Sequence, residues 1–211
     1  MKTAQLIATL AQDRQVTAAP GRLLARLLPF AVLIAALILL ATAGPRADLM
    51  QVLSAPRFLF KFVVTLSLAV PALVLLPRLA TPLPRTAGWM RVLWLAPLLL
   101  LAGVVLELLV LPDTRWRAAA FGHYALWCLF MVPMLATVPL AASLYCLRQA
   151  APANPARAGA MAGLASGALA ATVYALHCTD DSPLFVALWY STGVLFISGA
   201  GAWLATRVAR W

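Results

Sequence analysis

Val92–Leu111 reads VLWLAPLLLLAGVVLELLVL, twenty residues with one charged side chain, Glu107. A hydrocarbon core about 30 Å thick needs roughly 20 helical residues at about 1.5 Å rise each, so this stretch has the length and the chemistry of a bilayer span. Working outward, comparable apolar runs occupy about 27–43, 58–77, 121–147, 159–177 and 184–206. Six runs in 211 residues leave room only for short connections. The sequence therefore predicts an all-α, polytopic integral membrane protein: a cytoplasmic segment 1–26, a six-helix domain 27–206 and a cytoplasmic tail 207–211.

Composition agrees. Charged residues make up 10% of the chain and apolar ones 64%, against about 25% charged in soluble domains. The net charge of +10 reflects loop arginines between spans, and no direct contact with nucleic acid is expected. With the N-terminus in the cytoplasm, Lys2, Arg14, Arg22, Arg26, Arg78, Arg85, Arg91, Arg148, Arg157, Arg207 and Arg210 fall inside, and only Arg46, Arg57, Lys61, Arg115 and Arg117 outside. The positive-inside rule favours that orientation, N-in and C-in. Of the acidic residues only Asp13 is inside; Asp48, Glu107, Asp113, Asp180 and Asp181 lie toward the outer face. Ala41-Thr42-Ala43 looks like a signal-peptidase site, but the long patterned segment before the run and the parity of the charges predict an uncleaved first helix.

Two regions carry candidate chemistry. At the cytoplasmic N-terminus, Leu6, Ile7 and Leu10 recur at helical spacing among polar residues. This is a short amphipathic helix suited either to the membrane surface or to a partner's groove. At the outer face, Cys128 in the fourth span and Cys178 at the close of the fifth are brought to one leaflet by antiparallel neighbours. Gly159, Gly163, Gly167 and Ala171 form a small-residue packing face, and Cys178 projects within about 20° of Gly167 and Ala171. The spacing leaves open packed thiols or a redox pair, and a resting disulfide is neither required nor excluded. Cys146, near the inner end, reads as packing.

Around the two outer cysteines stand His123, His177, Asp180, Asp181 and Glu107, with Trp116, Trp127, Trp189 and Tyr190 as an interfacial aromatic belt. An ionisable group inside a span is a functional candidate by default, which singles out Glu107. A metal at this cluster stays open, although His123 and Cys128 project about 140° apart on one helix. No hydrolase, metalloprotease, nucleotide or dinucleotide signature occurs, so neither an enzyme nor a cofactor is expected. A redox or haem protein and a small transporter coupled through Glu107 remain the alternatives.

Gly122-His123-Tyr124-Ala125-Leu126-Trp127-Cys128, Tyr174-Ala175-Leu176-His177-Cys178-Thr179-Asp180-Asp181-Ser182-Pro183, Leu188-Trp189-Tyr190 and Pro56-Arg57-Phe58 resemble the NrsF family, negative regulators of sigma F. The resemblance implies a six-helix anti-sigma factor of the bacterial inner membrane. It would hold an extracytoplasmic-function sigma factor and release it under oxidative or heavy-metal stress. It further implies that Cys128 and Cys178 are the stress-responsive pair, supported by His123, Trp127, His177, Asp180, Asp181 and Glu107. Leu6, Ile7, Leu10 and Arg14 would then contact the sigma factor.

Overall fold

The computed structural model describes residues 20–82 and 86–209. Leu6, Ile7, Leu10, Arg14 and Arg85 lie outside them. Every regular element among the described residues is helical: α1 (Pro20–Thr42), α2 (Leu49–Val52), α3 (Pro56–Leu79), α4 (Ala87–Val92), α5 (Leu95–Val110), α6 (Asp113–Phe121), α7 (Ala125–Arg148), α8 (Pro155–Tyr174) and α9 (Pro183–Val208), the last interrupted by a π-turn at Val186–Tyr190. Large apolar side chains such as Phe30, Leu98, Leu109, Leu126 and Phe196 stand exposed on its flanks. A water-soluble fold would hide such faces, and lipid removes the need.

Five helices are long and apolar enough to cross a membrane: α1, α3, α4 with α5, α6 with α7, and α9. The sixth expected span, α8, falls short on hydropathy because its place is different. It packs most extensively against α9, then against α3 and α7, and 13 of its 20 residues are buried. The alanines and glycines that make it weakly hydrophobic are what let four neighbours approach. A Cβ on Gly159 or Gly163 would collide with the backbone of Gly201, or of Ile197 and Ser198, in α9. This is small-residue packing.

Helix boundaries follow local chemistry. Asn154 caps α8, its Oδ1 accepting from the Arg157 amide at 3.0 Å, and Pro155 supplies a preset first residue. The helix stops at Tyr174, so Cys178 does not close it as the sequence pattern suggests. The Tyr174 carbonyl instead accepts amides from both His177 and Cys178, at 2.9 and 3.1 Å, which turns the chain inward. The expected fourth span, 121–147, is found as α7, which begins a few residues later, at Ala125, because Gly122 with its φ of +56° ends α6 there. Pro133 and Pro139 both lie within an unbroken α7.

Tyr190, expected in the aromatic belt, is buried instead. The i→i+5 turn adds a residue to the helical cycle and brings Phe185 and Tyr190, five apart, onto one inward face with ring centroids 6.2 Å apart. Trp116 and Trp127 remain exposed, and half-buried Trp189 donates Nε1–H to the Ala120 carbonyl at 3.0 Å.

Candidate functional site

The connection between α8 and α9, residues 175–182, is short, polar and largely inside the molecule. It sits where α1 and α5 end and where α3, α7 and α9 begin, and His177, Asp180, Asp181 and Ser182 each meet a different neighbour. His177 Nδ1 lies 2.8 Å from the Gly44 carbonyl, just past α1. Asp180 accepts the amides of His123 and Tyr124, the latter at 2.8 Å, and so caps α7. The Ser182 hydroxyl donates to Glu107 at 2.6 Å, and Glu107 also accepts the Leu184 amide at 3.2 Å, closing the first turn of α9.

Asp181 takes the charges. It pairs with buried Lys61 and, at 3.0 Å, with Arg46, which also holds Asp48 at 2.7 Å. The same two cations converge on the carbonyl of Cys178, Lys61 at 2.8 Å and Arg46 at 3.3 Å. Two hydrogen-bonded carboxylates raise the already high Arg46 pKa further, and Arg46 holds the Asp48 carboxyl below its usual range. Neither Arg46 nor Lys61 is among the candidates the sequence singled out; both were counted as outer-side charges. The signal that finds Lys61 is its place inside the apolar run 58–77, where an ammonium survives only with partners.

Under this loop lie the thiols. Cys128 and Cys178 are both fully buried and both free, and both belong to the one buried apolar cluster at the centre of the bundle. Tyr174 and Tyr190 are buried in the same cluster, their rings tilted at 50° with centroids 5.8 Å apart. Burial pushes the Cys178 thiol upward in pKa, with Lys61 opposing the shift. At neutral pH it is held as the protonated, unreactive form. Cys146 is buried near the other end of α7.

The remaining candidates fall around this centre. His123 has an exposed ring 3.6 Å from Asp180, Trp127 packs on Phe130 at the surface, and Glu107 is engaged as a helix cap with Arg57 at 3.4 Å. Among the described residues no three His, Cys, Asp or Glu side chains converge as a metal site. The two cysteines come together; the two histidines do not join them as ligands, since His177 turns to the α1 end and His123 to the surface.

The site is thus a buried thiol pair beneath a polar keystone. The family model described as NrsF, negative regulator of sigma F, matches residues 10–211. The anti-sigma-F factor NrsF of Caulobacter vibrioides (strain NA1000 / CB15N) is 33% identical over 216 residues, covering 100% of both chains. The "Probable anti-sigma-F factor NrsF" of Azospira oryzae is 31% identical over 214 residues, again covering 100% of both. No solved structure matches. Fold and relatives together define a helical regulatory protein, a negative regulator of a sigma factor and not an enzyme. The chain belongs to the NrsF family.

Proposed function

We propose that this chain is a membrane-bound anti-sigma factor of the bacterial inner membrane. It holds an extracytoplasmic-function sigma factor at the cytoplasmic face and releases it when Cys128 and Cys178, on the periplasmic side, meet an oxidant or a soft metal. The observation that carries this reading is the joint burial of the two thiols under a loop that also grips the end of α1. The opposite end of α1 leads directly into the N-terminal segment with Leu6, Ile7, Leu10 and Arg14. A change at the thiols therefore has one helix to travel along before it reaches the docking residues.

The proposed topology is six spans, N-in and C-in, with α8 as an internal span of 20 residues, about 30 Å. Its support is charge. Asp48, Glu107, Asp113, Asp180 and Asp181 all lie at the thiol end, while Arg22, Arg26, Arg78, Arg91, Arg148, Arg157 and Arg207 lie at the other. That asymmetry fits a cytoplasmic basic end, where the acidic surface of a partner would be attracted.

Co-purification from membranes tests the docking. The full chain is expected to retain its sigma factor, and a chain lacking residues 1–19 to lose it. Retention after that deletion would move the contact to the inner loops.

A further inference from the structure

Lys61 is the sixth residue of α3, in the middle of an apolar bundle, with no exposed surface. An ammonium there is costly unless its donors are satisfied. Two of its three are taken by the loop that carries Cys178: one by the carbonyl of Cys178 itself at 2.8 Å, one by the carboxylate of Asp181. Arg46 engages the same two groups from the α1 side. The cations thus fix the backbone atom adjacent to the thiol-bearing Cα, not a remote part of the loop.

We infer that Lys61 and Asp181 are positioning residues for Cys178, forming with Arg46 a latch that holds the 177–182 loop shut over the thiol. A fully buried thiol reacts only from an opened state, so its rate is the open population multiplied by its intrinsic rate. The latch governs the first factor. In the closed loop each charge is desolvated and paired. In the open loop each regains water. Replacing Asp181 leaves buried Lys61 without a carboxylate in the closed state alone, and replacing Lys61 removes its hold on Asp181 and on the Cys178 carbonyl, so each change favours opening. The inference deepens the sensing reading by naming the contact a stress signal must overcome, but its test involves no sigma factor, so either can fail without the other.

The experiment uses the full-length protein in lipid nanodiscs, with N-ethylmaleimide as the probe and mass spectrometry to follow each cysteine. Asp181→Asn and Lys61→Met are each expected to speed modification of Cys178 by about ten- to a hundredfold. Cys146, buried near the far end of α7, should keep its rate and serves as the monitor of general loosening. One substitution removes an anion and the other a cation. An effect on thiol ionisation alone would therefore drive the two rates in opposite directions, whereas opening drives both upward. Unchanged Cys178 rates, opposed rates, or a parallel rise at Cys146 would each overturn the latch.

Discussion

The carboxylate of Asp180 accepts the backbone amide of Tyr124 at 2.8 Å, across 56 residues of sequence. One residue, two positions after Cys178, thereby caps the helix that carries Cys128. The loop over the thiol pair and the helix beneath it are joined by a charge-assisted contact at a helix N-terminus, where a negative group is favoured by the unpaired amides and the helix dipole together.

Replacing Asp180 with alanine should consequently cost about 1 kcal/mol, the usual worth of an N-cap, and asparagine should recover most of it. Thermal unfolding of the purified protein in a fixed detergent would read the difference. An alanine variant as stable as the parent would show that the cap contributes nothing.

The α8–α9 contact tolerates no side chain at Gly163, whose Cβ would meet the Ile197 carbonyl and the Ser198 backbone. Gly163→Leu is expected to cost at least the 1–3 kcal/mol typical of overpacking, because backbone cannot move aside as a side-chain end can. Gly199 in the same helix pair has open space around it. Gly199→Ala should be neutral or stabilise by about 0.4–1 kcal/mol through loss of chain entropy in the unfolded state. The yield of folded, monodisperse protein from membranes distinguishes the two.

Substitution of Cys128 and Cys178 by serine, together, should abolish induction of sigma-dependent transcription by oxidant or cadmium, and Cys146→Ser should leave it intact. A reporter fused to a promoter of the partner sigma factor provides the measurement. Normal induction in the double variant would remove thiol sensing from the mechanism.

Asp48 should lend stability a dependence on acid. Its carboxyl is held below its ordinary value of 3.8 by Arg46, so the folded state binds that proton less readily than the unfolded chain. The contribution is complete above about 3.8 and disappears as pH falls through the lowered folded value. Asp48→Asn should flatten the acid limb of a stability–pH profile by lowering stability near neutrality, while leaving it unchanged at the acid end, where the parent's carboxyl is already protonated. A profile of the same steepness in the variant would argue against the pair.

Topology has its own check in intact cells. A cysteine introduced at the exposed Met50, the second residue of α2 at the thiol end, should react with a membrane-impermeant maleimide. One introduced at Thr3 should not. Reversed labelling would invert the orientation and place the basic end outside.

Much of the architecture was legible from Val92–Leu111 and its counterparts, because transfer of apolar residues to lipid is summed locally along the chain. The weakest of the runs, 159–177, shows where that sum misleads. Its residues were chosen for close approach to α3, α7 and α9, and size, not hydropathy, satisfies that demand. The cysteine pair was legible through the motifs around it. The place of Cys128 in the fourth span was legible as well, but that of Cys178 was not, since Cys178 leaves the helical path at a turn made by the Tyr174 carbonyl.

The sequence by itself determined the helical class of this protein, its long apolar stretches and the places along the chain where its charges gather. Each follows from properties of neighbouring residues or from motifs within short segments. Tertiary structure alone decided that Arg46 and Lys61 turn inward to Asp181 and to the carbonyl of Cys178, from 117 to 135 positions away. The pairing of a buried charge depends on which groups surround it in space, and no local pattern records that.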